Sequence, residues 1–473
     1  MINLKSVSFS YTNYLNPQIK TLLFDSLDFS LPKGEKALVL GAPDSGKSTL
    51  SHLVCALVPR HGEGQLSGSV MINQKTITSL EPWNLTDSVT LVAQNPQEQL
   101  LMTTCSDEIA FPLESLGYSQ SEIAFRVEKA LKQWDLLRMA EVNPQQMSGG
   151  EQKRLLLAVA DAIDAPIWVL DEPFDNLDQM WQEHLAQRLG SSGKTILLFA
   201  SRFLECYSSF FDSYWHMGRG KLTAHTEKSL IELFDKECNT IVAPPPAAKV
   251  HARQEILCSE AQVLHTRRSL SDESPFRLAV AEFRVASDEV VALVGPNGSG
   301  KSTFSRHLCG LDLFEKGEVS IDGNVLTPTE LQRRVGYLFQ NPDYGIFLPT
   351  VADELSWSLK RNRRYTSAEI EQAVLEVARL YRLNVQDNPA MMSYGSRKNL
   401  QAAVYHLLQR AIIIVDELDS GLTYGDAYTI ISLLKSKGAG IVIITHDKGF
   451  AKRLADRQYS IIEGNIVETE VGA

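Results

Sequence analysis

The stretch Gly295-Pro296-Asn297-Gly298-Ser299-Gly300-Lys301-Ser302-Thr303 decides the fold of this chain. It follows the apolar run Val290–Val294, which is typical of a short buried strand, and it precedes residues 304–308, which can begin a helix. Strand, Gly-x-x-x-x-Gly-Lys-Ser and helix, in this order, form the pattern of a phosphate-binding loop. The glycines let the backbone approach phosphate oxygens, and N–H groups at the helix start point at them. The alternative, a glycine-rich turn without a ligand, is disfavoured because the whole pattern is present.

The loop also carries two side chains with defined tasks. Lys301 is expected to reach the β- and γ-phosphates of a nucleotide, and Ser302 is expected to bind Mg²⁺. A second loop of the same pattern lies in the first half of the chain and again follows an apolar run, residues 37–40. Its residues are Gly41, Ala42, Pro43, Asp44, Ser45, Gly46, Lys47, Ser48 and Thr49.

Length and composition restrict the class of protein. A chain of 473 residues is expected to hold two or three domains, and 44% hydrophobic with 22% charged residues is ordinary for a soluble globular protein. The formal net charge of -11 disfavours a general nucleic-acid binder. We find no apolar run of roughly 18–20 residues, as a membrane span needs, and no signal-peptide pattern at the N-terminus. The 6 cysteines are scattered without a C-x-x-C, which favours reduced thiols in a cytosolic protein over redox or metal roles.

The chain is an internal duplication. Lys301 follows Lys47 by 254 positions, and the pair Asp416-Glu417 follows Asp171-Glu172 by 245. Gln340 follows Gln94 by 246 positions, so the first half has about eight additional residues before Gln94, which we assign to the region 59–68. A period of this length indicates two domains rather than a solenoid.

Each half is predicted to be an α/β domain with a helical insert. Residues 121–131 and 367–383 have the apolar spacing of helices. A linker is expected where Pro244-Pro245-Pro246 excludes regular helix and central strand. The predicted organisation is a first domain at 1–237, a linker at 238–253 and a second domain at 254–473.

Three further motifs resemble those of the ATP-binding cassette (ABC) ATPases, and the resemblance covers nearly the whole chain twice. They are the signature stretch at 147–154 with Ser148-Gly149-Gly150, the Walker B strand at 167–173 that ends in Asp171-Glu172, and the D-loop Asp175-Asn176-Leu177-Asp178. The resemblance implies two P-loop NTPase domains, each with a RecA-like α/β core and a helical subdomain, packed head to tail. It also implies ATP hydrolysis with Mg²⁺.

A finer resemblance lies after each glutamine. Residues 94–100 with 107–111, and residues 340–343 with 349–355, look like the energy-coupling factor (ECF) subfamily, whose ATPases drive uptake of vitamins and transition-metal ions. In that subfamily this region receives coupling helices of a membrane partner. The resemblance therefore implies integral membrane subunits, namely a transmembrane coupling protein and a substrate-binding membrane protein. It implies no nucleic acid, no direct solute binding, and a peripheral location on the cytoplasmic face of the membrane.

In the ABC family each ATP lies between the phosphate loop of one cassette and the signature of the other. The resemblance therefore implies a first composite site built on residues 295–303. There, Glu417 positions or activates water, Gln340 contacts Mg²⁺ or the attacking water, and His446 contacts the γ-phosphate. Mg²⁺ is held by Ser302, Gln340 and Asp416, and the opposite face supplies Ser148, Gly149, Gly150 and Asp178.

The second composite site takes residues 41–49, with Ser48, Gln94 and Asp171 for Mg²⁺ and Glu172 as the catalytic carboxylate. Its facing signature is Ser393-Tyr394-Gly395. This site departs from the family pattern at four positions. Ser201 stands where the other half has His446, and Thr423 replaces the D-loop aspartate. Tyr394 replaces a glycine and is expected to crowd the backbone that approaches ATP. Asp44 places an anionic side chain near phosphate.

These departures predict one hydrolytic site and one degenerate site that still binds ATP. Tyr11 could stack on adenine, and so could its counterpart His265, although simple strand packing is the alternative for both. A soluble tandem ABC protein that acts in translation, or a regulatory ATPase, would be a different class of function. The short proline-containing linker, the altered second signature and the acidic balance disfavour the translation factor.

Overall fold

The computed structural model describes residues 1–12, 20–59, 64–77, 82–218, 220–238, 254–265, 276–296, 298–360, 365–418 and 422–472. Within it the chain divides into two compact units, Met1–Glu237 and Cys238–Ala473. A helix of the first unit extends to Cys238, the first residue of the predicted linker. The rest of that linker, residues 239–253, lies outside the described residues, as do positions 60–63 of the expected insertion.

The first unit has two sheets among its described residues. Its strands are β1 (Ile2–Thr12), β2 (Lys20–Leu31), β3 (Lys36–Leu40), β4 (Gly64–Ile72), β5 (Lys75–Thr76), β6 (Val89–Val92), β7 (Ile167–Asp171), β8 (Thr195–Ala200), β9 (Ser213–Gly218) and β10 (Lys221–His225). One sheet has the order β2-β1-β4-β5 and the other the order β10-β9-β3-β8-β7-β6. In the second sheet β6, β7, β8, β3 and β9 are parallel.

The helices of the first unit are α1 (Lys47–Val54), α2 (Cys105–Ser115), α3 (Gln120–Gln133), α4 (Gly149–Ile163), α5 (Gln179–Ser191) and α6 (Glu227–Cys238). Helix α1 follows β3 through the first phosphate loop. Helices α2, α3 and α4 pack on one another and form the predicted helical insert. The helix predicted at 121–131 is α3, and Ser119 caps its N-terminus by accepting a hydrogen bond from the backbone N–H of Glu122.

The second unit has a similar order of strands and helices, but its described strands join in one sheet of ten strands. Its strands are β11 (Glu255–His265), β12 (Phe276–Ala286), β13 (Val290–Val294), β14 (Lys316–Ile321), β15 (Asn324–Val325), β16 (Val335–Leu338), β17 (Ile412–Asp416), β18 (Gly440–Thr445), β19 (Arg457–Ile462) and β20 (Asn465–Thr469). They form a sheet of order β15-β14-β11-β12-β20-β19-β13-β18-β17-β16. The central strands β13, β17 and β18 are buried along their whole length, which explains their unbroken apolar sequences.

The helices of the second unit are α7 (Lys301–Leu308), α8 (Pro328–Arg334), α9 (Val351–Lys360), α10 (Ser367–Leu380), α11 (Tyr394–Leu408), α12 (Tyr424–Lys435) and α13 (Lys448–Leu454). The helix predicted at 367–383 ends three residues earlier, at Leu380. The helix after the phosphate loop begins at Lys301 itself rather than at residue 304. The α/β fold class predicted from the sequence is confirmed.

None of the helices in the described ranges is both long enough and apolar enough to cross a membrane.

Candidate functional site

Both phosphate loops fold in the same way between a parallel strand and a helix. The last glycine before the helix is left-handed in each, with φ of 100° at Gly46 and 101° at Gly300, a conformation that glycine adopts without strain. The Lys47 Nζ donates to the carbonyl of Gly41 at 2.7 Å. The Lys301 Nζ donates to the carbonyl of Gly295 at 2.8 Å. In each unit the lysine therefore lies over its own loop.

The residues of both loops fit a phosphate group. The hydroxyls of Ser45 and Ser299 are buried and have no hydrogen-bond partner within the described residues. Each lies just before the helix start, where backbone N–H groups are also unsatisfied. A bound phosphate would supply acceptors for these hydroxyls. Asn297, which the sequence places in the second loop, lies outside the described residues.

Glu417 is the centre of a polar cluster in the second unit. Its carboxylate accepts a hydrogen bond from the Gln340 Nε2 at 2.5 Å. The Nδ1 of His446 lies 3.7 Å from the Oε1 of the same carboxylate. The backbone of Glu417 is left-handed, with φ of 46°, and its N–H donates to the carbonyl of Ile444 at 2.9 Å. The strand ends β16, β17 and β18 thus bring together three residues that the sequence predicts to act together.

Glu172 has different neighbours in the first unit. The hydroxyl of Ser201 donates to its Oε1, and the Nζ of Lys47 lies 3.9 Å from that oxygen. The backbone is again left-handed, with φ of 48°. Within the described part of the unit, the side chain of Gln94 makes no hydrogen bond to Glu172. Equivalent backbones therefore carry different sets of side chains.

These neighbours move the pKa values of the two glutamates in opposite directions. Burial, reinforced by the negative charge of Asp175, raises the pKa of Glu172 to about 7, although Lys47 opposes the shift. Burial also acts to raise the pKa of Glu417, but the nearby His446, together with Lys301 and Lys398, holds it below its ordinary value. Glu417 is consequently a carboxylate at neutral pH, whereas Glu172 is in part a neutral acid.

In each unit the serine and the aspartate predicted to bind Mg²⁺ lie together, the aspartate at the end of a strand and the serine in the helix after the phosphate loop. In the second unit the hydroxyl of Ser302 donates to the Oδ1 of Asp416 at 3.4 Å. The Oδ2 of Asp416 accepts from the hydroxyl of Tyr337 at 2.7 Å. In the first unit the Oδ1 of Asp171 is buried without a hydrogen-bond partner among the described residues. Burial raises the pKa of the Asp171 carboxyl, and a hydrogen bond from Ser48 acts in the opposite direction. A hydroxyl and a carboxylate are suitable oxygen ligands for a hard cation.

Two other predicted residues lie beside the first phosphate loop. The hydroxyl of Tyr11 is 2.9 Å from the Oγ1 of Thr49, and the ring packs edge-on against Phe9 with 4.9 Å between centroids. Tyr11 is 38% exposed, so its ring is only partly covered by the strand packing, and stacking on adenine stays a prediction. Asp44 is exposed and left-handed, with φ of 63°, so it keeps the backbone that Gly298 has at the corresponding position. The side chain of His265 lies outside the described residues.

The signature serines and the D-loop positions begin helices within their own units. Ser148 caps α4 in a capping box with Glu151, and Ser393 caps α11. Asp178 caps α5 by accepting from the backbone N–H of Trp181. Thr423 caps α12 in the same way, so threonine retains the capping function of the aspartate that it replaces. The D-loop residues Ser420 and Gly421 lie outside the described residues.

The ring of Tyr394 has an orientation that the sequence did not predict. The ring is half-buried in its own unit, and its hydroxyl donates to the backbone carbonyl of Gln340 at 2.5 Å. That the ring crowds the backbone that approaches ATP stays a prediction. The Nζ of Lys398 lies 5.1 Å from the centroid of the same ring.

Sequence reasoning missed two buried lysines in the helices that follow the signatures. The Nζ of Lys153 donates to the carbonyls of Gln94 at 2.8 Å and Ala93 at 3.1 Å. The Nζ of Lys398 donates to the carbonyl of Glu417 at 2.6 Å. Burial lowers the pKa of Lys153 to about 8. The sequence contains one signal for these lysines: both halves have a lysine at the same position, 245 residues apart, on an otherwise apolar face of the predicted helix.

Two buried glutamates were also missed. The Oε2 of Glu108 accepts from the backbone N–H groups of Leu101 and Met102 at 2.8 and 2.7 Å. The Oε2 of Glu354 accepts from those of Phe347 and Leu348 at 3.2 and 2.8 Å. Each carboxylate thereby fixes the loop after a glutamine motif. Their repetition at an offset of 246 positions was the signal in the sequence.

A surface cavity of about 480 Å³ lies beside the loop that Glu354 holds. Phe347 in its wall is 71% exposed, and Ile346, Leu348 and Pro349 extend the apolar lining. Arg397 and Asp343 also line the cavity, and they form an ion pair with 3.2 Å between the nitrogen and the oxygen. Leu101, the counterpart of Phe347 in the first unit, is 72% exposed. Each unit thus presents an apolar side chain on a loop that its own buried glutamate anchors.

Comparison with known proteins places this geometry in a family. The family model described as ABC transporter matches residues 24–175 and 278–420. An ABC transporter ATP-binding protein of Treponema denticola is 29% identical over 99% of this chain and 96% of its own length. Proteins of the same description from Streptococcus agalactiae serotype V and Methanosarcina mazei are 29% and 27% identical, each over 98% of this chain.

Solved structures resemble about half of the chain. A dimeric ATP-binding cassette in a post-hydrolysis state, bound to ADP and Pi, is 23% identical and matches 48% of this chain and 98% of its own, with a TM-score of 0.43. The protein cbiO1 from Clostridium perfringens, part of the ABC transporter complex cbiONQ, is 23% identical and matches 45% of this chain and 86% of its own, with a TM-score of 0.40. With the family model matching both halves, the chain belongs to the ABC transporter family and is a tandem-cassette ATPase.

Proposed function

We propose that this chain is the ATP-hydrolysing subunit of an ECF-type importer, with one hydrolytic and one degenerate nucleotide site. In this role it couples ATP binding and hydrolysis to uptake of a vitamin or a transition-metal ion through separate membrane subunits. The observation that carries the asymmetry is the difference around the two glutamates. Gln340 and His446 are placed at the carboxylate of Glu417, whereas Ser201 is bonded to that of Glu172.

The chemistry of the Glu417 site follows from its charge state. A general base must be ionised and within hydrogen-bond reach of the water whose proton it accepts. The lowered pKa of Glu417 keeps its carboxylate ionised at neutral pH. In our proposal Gln340 orients that carboxylate and the attacking water, His446 contacts the γ-phosphate of ATP, and Lys301 neutralises phosphate charge. Ser302 and Asp416 would hold Mg²⁺, which would supply positive charge to offset that of the phosphate oxygens.

The Glu172 site lacks two of these elements. With a pKa of about 7, Glu172 is protonated in a large fraction of molecules at neutral pH, and a protonated carboxyl cannot accept a proton from water. A serine hydroxyl at position 201 is shorter than an imidazole and stays bonded to Glu172. Lys47, Ser48 and Asp171 remain available to bind ATP and Mg²⁺. We therefore propose nucleotide binding with slow or no turnover at this site.

The pairing of motifs across the halves is a proposal that rests on the family resemblance. Ser148, Gly149, Gly150 and Asp178 would complete the site of Lys301. Ser393, Gly395 and Thr423 would complete the site of Lys47, which Tyr11 would extend towards adenine. In this pairing the altered positions Ser201, Asp44, Tyr394 and Thr423 belong to one site.

The exposed apolar loops support the proposed membrane partner. Phe347 and the adjoining cavity lie directly after the glutamine motif of the second unit, and Leu101 occupies the corresponding place in the first. The ECF-like sequence of this region implies that it receives coupling helices. We propose that a transmembrane coupling protein occupies these loops, and that a separate membrane subunit binds the solute. The chain would then lie on the cytoplasmic face of the membrane.

The asymmetry is tested by comparing two single substitutions in the assembled complex. Glu417→Gln should abolish steady-state ATP hydrolysis, because it removes the ionised carboxylate from the competent site. Glu172→Gln should leave most of the activity, since Glu172 is already neutral in part of the molecules and its site is proposed to turn over slowly or not at all. The two substitutions are matched in chemistry and in backbone geometry. Near-equal losses of activity would contradict the proposal.

The role in transport is tested by purification of the tagged chain from detergent-solubilised membranes. An importer subunit should co-purify with small integral membrane proteins, and the co-purified solute-binding subunit would identify the class of solute. A soluble translation factor or regulatory ATPase would be recovered from the soluble fraction alone. That outcome would overturn the transport role without affecting the assignment of ATPase activity.

A further inference from the structure

The altered signature of the second unit is bonded to the glutamine loop of its own unit. The hydroxyl of Tyr394 donates to the backbone carbonyl of Gln340, and the side-chain amide of Gln340 donates to Glu417. Four residues further along α11, Lys398 donates to the backbone carbonyl of Glu417. Arg397 forms an ion pair with Asp343 in the same loop. The start of α11 is therefore joined to Glu417 both directly and through Gln340.

The first unit makes a different set of bonds with the same backbone. Gly149 occupies the position of Tyr394 and has no side chain. There Lys153, the counterpart of Lys398, donates to the carbonyl of Gln94, which is the counterpart of the carbonyl that Tyr394 binds. In the second unit the tyrosine hydroxyl thus bonds the glutamine carbonyl, and the lysine bonds the carbonyl of the catalytic glutamate.

We propose that Tyr394 is a positioning residue for the hydrolytic site of its own unit. Its hydroxyl fixes the backbone of Gln340 and so the amide that faces the Glu417 carboxylate, while Lys398 holds the backbone of Glu417. The replacement of glycine by tyrosine then does more than weaken a signature, since it adds a contact that supports catalysis. This inference rests on the proposed catalytic role of Glu417.

The bond from tyrosine to carbonyl predicts a specific kinetic change. Tyr394→Phe keeps the ring and removes only the hydroxyl, so the chain should still fold, with a thermal midpoint lowered by about 2–4 °C. A half-buried hydrogen bond of this kind corresponds to about fivefold in rate if the bond is needed in the transition state. We expect the kcat for ATP hydrolysis to fall about fivefold while KM for ATP stays the same, because the hydroxyl does not bind nucleotide. Tyr365→Phe, on an exposed tyrosine of the same unit, is the matched control.

The experiment uses the full-length chain with its co-purified membrane subunits, in a Glu172→Gln background, so that only the Glu417 site is measured. Tyr394→Gly, which restores the family residue, should also lower kcat. Tyr394→Phe and Gln340→Ala should be non-additive, because both act through the same amide. Unchanged or higher kcat in either Tyr394 variant, or additivity with Gln340→Ala, would overturn the inference.

The proposed function fails separately from this inference. If Glu172→Gln alone abolishes hydrolysis, or if adding Glu417→Gln leaves it intact, the catalytic assignment itself is wrong. If those two controls behave as expected and Tyr394→Phe has no effect, only the positioning role of Tyr394 is refuted.

Discussion

The buried carboxylate of Glu354 offers a way to separate ATP hydrolysis from partner docking. It holds the backbone N–H groups of Phe347 and Leu348, in the loop that carries the exposed Phe347 side chain of the proposed docking surface. The perturbation is Glu354→Gln, which keeps an acceptor oxygen and the side-chain volume but removes the charge. Phe347 and Leu348, which line the cavity beside the loop, should then be held less firmly.

The magnitude follows from the two hydrogen bonds. A bond to a charged acceptor contributes about 1.5–3 kcal/mol and a neutral one about 0.5–1.5 kcal/mol, so the substitution costs about 1 kcal/mol per bond. For two bonds the loop should open more easily by about 2 kcal/mol. Since about 1.4 kcal/mol corresponds to a tenfold change, this is about a 30-fold rise in the opening equilibrium.

Hydrogen exchange of a peptide that covers residues 345–350 measures this opening directly. Amide protection should fall by about the same 30-fold factor. ATP-driven uptake by the assembled complex should fall as well, whereas hydrolysis by the chain alone should be preserved because Glu417 and its partners are untouched. Asp353→Asn is the matched control. It removes one negative charge from the adjacent position of α9, where the side chain bonds the hydroxyl of Thr350 and does not bind the N–H groups of Phe347 and Leu348.

Two outcomes would refute this reasoning. Unchanged protection of residues 345–350 would show that Glu354 does not hold the loop. Equal losses of uptake and of hydrolysis by the chain alone would show that the loop is not a separate docking element.

Two predictions concern stability. Burial lowers the pKa of His406 to about 4, against about 6.5 when unfolded, so the unfolded chain binds more protons between these values and stability rises with pH there. His406→Gln should remove this pH-dependent rise in the free energy of unfolding, which amounts to up to about 3 kcal/mol. Denaturant-dependent hydrogen exchange of α11 at several pH values measures it, and an unchanged dependence of stability on pH would contradict the prediction. Gly440→Ala would place a Cβ 2.2 Å from the carbonyl of Ala286 and should destabilise the chain by about 1–3 kcal/mol in urea unfolding. The control Gly193→Ala, with nothing within 4 Å, should change little, and equal effects would argue against steric overlap.

The sequence predicted the fold class because its strongest signals are local. A phosphate loop must have a strand before it and a helix after it, and the repeated offset of 245 positions indicated that both halves fold alike. In the second unit Gln340, Glu417 and His446 lie near one another. In the first unit Lys47 lies near Glu172. Their catalytic roles stay predictions that the variants above address.

The orientation of Tyr394 could not be predicted, because it depends on where the carbonyl of Gln340 lies in space. From the sequence, a large residue at a glycine position indicated only crowding. The hydrogen-bond partner of Lys398 could not be predicted for the same reason. Lys398 binds a backbone carbonyl, and every residue type has a backbone carbonyl, so the sequence does not indicate which one is bound. Tyr337, whose hydroxyl binds Asp416, corresponds to Leu91 in the first half, and the two residues look alike as members of an apolar strand.

The left-handed backbone at both glutamates bears on how easily the degenerate site could regain the residues of the hydrolytic one. Residues other than glycine, asparagine and aspartate adopt this conformation at a cost of about 1 kcal/mol or more. The first unit retains it at Glu172 with φ of 48°, close to the 46° of Glu417, even though the surrounding side chains differ. A laboratory evolution experiment that selects for two equal sites would therefore start from a backbone already in place. It would need to exchange side chains, with Ser201→His as the first step.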